Sequence, residues 1–103
     1  MSAMLHLINK SPFERTALAS CLRLAQAGSS ILLLEDGVYA ALGNATHAGK
    51  IIERLEDFSF YALGPDIAAR GLGDAPLIEG LTIVDYEGFV DLVAEHSVTQ
   101  SWL

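Results

Sequence analysis

The sequence predicts an α/β fold: a mostly parallel sheet of about four strands with helices on both faces. Short apolar runs alternate four times with stretches that carry helix-start and helix-stop residues. The run Ile31–Leu34 has no polar position, which suits a strand covered on both sides. At 103 residues the chain fits one domain, residues 1–103. Alternation of this kind implies right-handed crossovers between parallel strands.

Met4–Ile8 is apolar and reads as the first strand. It leads into Ser11, Pro12 and Glu14. Ser11 and Glu14 have the spacing of a capping box, and Pro12 fits the first helical position. The helix is expected to run to about Ala27, with Gly28 ending it. Ile31–Leu34 is the second strand. Asp36 can cap a helix over Val38–Leu42, which Gly43 and Asn44 interrupt. Ala48, Ile51, Ile52 and Leu55 then recur at helical spacing. Phe58–Leu63 is the third strand. Gly64, Pro65 and Asp66 turn into a short helix that Gly71 stops. Gly73–Gly80 reads as loop, Leu81–Val84 as the fourth strand, and Asp85 as the cap of a helix reaching about Glu95. The tail Val98–Leu103 pairs briefly at a sheet edge.

Composition narrows the function. Apolar residues make up 51% of the chain and mean hydropathy is +0.38. A domain of this size buries only about two-thirds of its unfolded surface, so part of the apolar surplus is expected to face a partner chain. The net charge of −7 argues against an electrostatic grip on nucleic acid or an anionic membrane. No basic and apolar leader pattern opens the sequence, and the longest aliphatic run is far short of a membrane span. A cytoplasmic location is expected. A single cysteine excludes an internal disulfide and any zinc site built on several thiolates.

The carboxyl ends of the strands, where open α/β sheets hold ligands, offer Asn9 to Ser11, Glu35, Asp36, Asp66 and Asp85. These are mostly acidic, and no glycine-rich phosphate loop follows any strand. Asp36, Asp66 and Asp85 each stand where a helix begins, so capping accounts for them. His6, His47 and His96 lack the spacing of a metal site, and no cofactor or metal is expected. Cys21 lies mid-helix among Ala17, Leu18, Leu24 and Ala25, a setting that buries a thiol and raises its pKa.

Several segments resemble one family, in order along nearly the whole chain. They are Leu5 and His6 with Asn9 to Phe13, Leu32 to Ala41, Tyr61 to Asp66 with Ala69 to Gly71, Val84 to Tyr86 with Gly88 to Val90, and Gln100 to Leu103. The chain resembles the DsrH/TusB family of sulfur-relay subunits. The resemblance implies a DsrE-like, flavodoxin-related sheet. It implies a cytoplasmic heterohexamer with DsrE/TusD-like and DsrF/TusC-like sister subunits and a DsrC/TusE-like acceptor. The principal sulfur-carrying cysteine then lies on the DsrE or TusD chain. Cys21, within Ser20-Cys21-Leu22, resembles the cysteine of DsrH-type members. The expected function is therefore an accessory subunit of a DsrEFH-type complex in sulfur oxidation, not an enzyme by itself, with Cys21 as the candidate persulfide carrier. The alternatives are a TusB-type subunit supporting 2-thiolation of wobble uridine in tRNA, and a stand-alone small-molecule binding domain. Tyr39, Trp102 and Leu103 are the interface candidates.

Overall fold

In the computed structural model, residues 4–12, 16–44 and 48–102 are described. Among these residues, five strands form one parallel sheet: β1 (Met4–Ile8), β2 (Ser30–Leu33), β3 (Ser59–Leu63), β4 (Thr82–Val84) and β5 (Val98–Trp102). Their order across the sheet is β4-β3-β2-β1-β5. The tail thus supplies a full fifth strand instead of a brief pairing. It lies parallel to β1 along its whole length, from Met4 beside Val98 to Ile8 beside Trp102.

The strand order decides which face each helix covers. From β1 to β4 the chain steps one way across the sheet. Right-handed crossovers therefore put α1 (Ala17–Leu24), α2 (Ala48–Ile52) and α3 (Gly64–Ala69) on one face. The step from β4 back to β5 reverses direction and puts α4 (Tyr86–Glu95) on the other. Packing agrees. The larger core joins Ile8, Ile31, Leu33, Phe60 and Ala62 of the sheet to Leu18, Cys21, Leu22, Ile51 and Ile67 of the first three helices. The smaller core on the opposite face is Leu5, Leu32 and Leu92, with Leu7, Tyr61, Val84 and Phe89 beside it. The alternation of Leu5 and Ile8 between these cores follows from the period-2 geometry of β1.

Local boundaries differ from expectation in three places. The first helix begins at Ala17 and ends at Leu24, and Thr16 at its N-cap makes no side-chain cap bond. The proposed capping box depends on Glu14, which lies outside the described residues. Gly28, at φ +94°, supplies the left-handed turn after α1. The expected helix over Val38–Leu42 is a 3-10 segment, Glu35–Ala41, whose backbone presses against the end of β1. A Cβ at Gly37 would overlap the Ile8 carbonyl. Capping by Asp36 and Asp66 is also corrected: the residues at those caps are Leu34 and Leu63, with no side-chain cap bond. Asp85 does cap its helix, accepting the Gly88 N–H at 2.8 Å.

Candidate functional site

Cys21 sits on the buried stripe of α1, with Ala17, Leu18 and Leu22. It is fully buried and belongs to the larger apolar core. Burial pushes its thiol up to about 12, because the charged thiolate would lose its hydration there. At neutral pH the thiol is therefore protonated. The thiolate is the form that attacks a persulfide, so this placement provides neither charge nor access.

The carboxyl edge of the sheet is cross-linked from within. Asp66 at the start of α3 accepts the Glu35 N–H through Oδ2 at 2.6 Å. Glu35 stands at φ +51°, an unusual conformation for a residue with a side chain. Arg70 donates through Nε to Asp36 Oδ1 at 2.9 Å and through Nη1 to the Asp66 carbonyl at 3.2 Å. Three groups that could have met a ligand thus hold the 3-10 segment against α3. Asn9 Oδ1, at the end of β1, is buried without a hydrogen-bond partner. Among the described residues, no three His, Cys, Asp or Glu side chains stand close enough to hold a metal ion.

The outer strand β5 carries a different arrangement. Trp102 at the end of β5 donates its indole N–H to His6 Nδ1 at 3.0 Å. That fixes the neutral tautomer of His6 with its proton on Nε2. Burial holds the His6 pKa below 6.5. A cleft of about 280 Å³ opens beside this pair, between the end of α1 and β5, lined in part by Met4, Leu24, Gln26 and Gln100. It lies at the lower end of the range of roughly 300–1,000 Å³ usual for ligand sites.

Of the interface candidates, Trp102 is half-buried and packs on the same core as Cys21. Tyr39 is half-buried on the 3-10 segment and belongs to neither apolar core. Leu103 lies outside the described residues, as does His47. His96, which lacks the spacing of a metal ligand, pins α4 to the sheet. Its Nδ1 lies 2.7 Å from the Leu92 carbonyl and its Nε2 2.9 Å from Ser30 Oγ.

The apolar surplus read from composition is visible on the surface. Leu24, Ile52, Ile83, Tyr86, Val90, Val93 and Val98 are large apolar residues left exposed. Three of the seven lie on α4. Sequence periodicity carried a signal for this: Tyr86, Phe89, Val90, Leu92 and Val93 exceed what one helix stripe can bury. No described helix is long and apolar enough to cross a membrane.

Known proteins resemble this chain along its length. The family model described as DsrH like protein matches residues 10–99. A protein named TusB from Pectobacterium carotovorum is 38% identical over 101 residues, covering 96% of this chain and all of the relative. TusB from Serratia proteamaculans is 36% identical over 99 residues, again covering 96% of this chain and all of the relative. Among solved structures, the ychN protein from E. coli superposes with a TM-score of 0.82 at 20% identity, covering 99% of this chain and all of that one. The structural likeness at that identity concerns the fold alone.

Proposed function

This chain belongs to the DsrH/TusB family of sulfur-relay subunits, and on that premise we propose that it is a TusB-type subunit of the relay that supports 2-thiolation of wobble uridine in tRNA. The observation that carries this reading is the match to proteins named TusB at 36–38% identity over nearly the whole chain. It moves the preferred branch from sulfur oxidation to tRNA modification. The DsrEFH-type reading now stands second, resting on the family model and on the resemblance of Cys21 to the cysteine of DsrH-type members.

Within the relay, this subunit shapes and stabilises the complex and forms no bond to sulfur. It assembles in the cytoplasm with TusD- and TusC-like sisters, two copies of each chain, and the complex hands sulfur to a TusE-like acceptor. The transfer itself is a thiol exchange: an acceptor thiolate attacks the outer sulfur of a persulfide, and the donor cysteine leaves as its thiolate. Cys21 is poorly suited to either part, being buried and protonated. A cysteine on a sister chain does this work. A stand-alone binding domain is disfavoured, since the acidic loops at the sheet edge bond to one another.

The test is genetic and chemical. Deleting the gene should abolish or strongly reduce 2-thiouridine derivatives in tRNA, measured by nucleoside mass spectrometry. The wild-type chain and Cys21→Ala should restore them equally. Unchanged thiolation after deletion would overturn the tRNA reading. Restoration by wild type but not by a folded Cys21→Ala variant would overturn the accessory role.

A further inference from the structure

The geometry of α4 points to a docking surface, and we propose that it receives a sister chain whose facing surface is apolar and rimmed by Lys and Arg. The proposal rests on the subunit reading above and adds the face and the chemistry of the contact. At 100° per residue, α4 has three stripes. Phe89, Leu92 and His96 face the sheet. Tyr86, Val90 and Val93 form a second stripe, exposed by 59%, 64% and 41%. Glu87, Asp91 and Glu95 form a third, fully acidic. The exposed stripe presents roughly 300 Å² of surface, the size of the largest apolar patch on a typical monomer, which is often functional. A standard interface needs about 800 Å² from each partner. A stable contact centred on the stripe must therefore extend beyond it, with the acidic ridge as its polar rim.

Charge selects the occupant. Residues 71–103 hold six carboxylates and no Lys or Arg, so six of the seven net negative charges fall in this third of the chain. The ion pairs among the described residues, Arg54 with Asp57 and Arg70 with Asp36 and Asp66, leave the carboxylates of α4 unpaired. A second copy matches this ridge less well than a chain with surplus cations. Its residues 1–70 carry seven carboxylates against six Lys and Arg, and two of those cations, Arg54 and Arg70, are already paired. An unlike chain with surplus cations around an apolar patch meets both requirements, and like-charge contact disfavours self-pairing.

The experiment uses the full chain co-expressed with its sister subunits. Amide hydrogen exchange is compared between the free chain and the assembled complex, and affinity is measured at low and high salt. Val90→Asp and the triple variant Glu87→Lys, Asp91→Lys, Glu95→Lys are run beside wild type, with circular dichroism to confirm folding. The expected result is at least tenfold slower exchange over residues 86–96 on assembly. Affinity should fall as salt rises, and each variant should lose at least tenfold. Assembly with unprotected α4 and unaffected variants would overturn the docking surface while leaving the subunit reading intact. Self-association through α4 that the variants abolish would overturn the unlike partner. A wild-type chain that ignores its sisters would overturn the docking surface and the subunit reading together.

Discussion

Three residues carry most of the physical argument. Cys21 is the lone cysteine, and its place mid-helix among apolar neighbours already marked it as a buried thiol. In the structure its burial pushes the pKa up to about 12. His6 is the second. It is buried, neutral, and bonded to the Trp102 indole through Nδ1. Its folded pKa lies below 6.5, so the unfolded chain takes up this proton first as pH falls. The stability it contributes is complete above about pH 6.5 and is lost as pH falls from there towards the folded pKa. Melting curves between about pH 7 and 5.5 should show a steeper decline for wild type than for His6→Gln; parallel declines would contradict this. The third is Glu35. At φ +51° it occupies a region costing about 1–2 kcal/mol for a residue with a side chain. Glu35→Gly should leave stability unchanged or raise it by up to about 1 kcal/mol in urea titrations, whereas Glu35→Val should lower it by about 1–2 kcal/mol.

Elements show why some of this fold is legible in sequence and some is not. Strands β1, β2 and β3 were readable because each is an apolar run of the right length between turn residues. The cap at Asp85 was readable because one local bond, to Gly88, decides it. Asp36 and Asp66 obey the same local pattern, but partners about thirty positions away capture them instead. Local reasoning has no access to such contacts. The tail suggests only a brief pairing in sequence, and its Thr99, Gln100 and Ser101 are polar. It holds a full ladder because β1 offers an open edge and Trp102 anchors the end on His6. The 3-10 segment depends on close backbone approach at Gly37. Gly37→Ala should force it off β1 and cost at least about 2 kcal/mol. Denaturant unfolding checks this, and a loss below about 0.5 kcal/mol would contradict it.

At the scale of the molecule, among the described residues, one face of the sheet is covered by three helices and the other by α4 alone. The sequence foretold surplus apolar surface through composition, but not where it lies. That required the strand order, which sends the last crossover to the opposite face by itself. The same crossover lies in the segment that holds most of the net charge, so the lightly covered face brings an acidic helix to the surface. A chain built this way, with its thiol sealed inside and apolar side chains outside, suits a subunit that supports chemistry performed by another. Intact-mass spectrometry of the assembled complex after incubation with a persulfide donor tests that claim most directly. A gain of about 32 Da, one sulfur atom per persulfide, should fall on a sister chain and not on this one. A sulfur adduct on Cys21 in the native complex would contradict it.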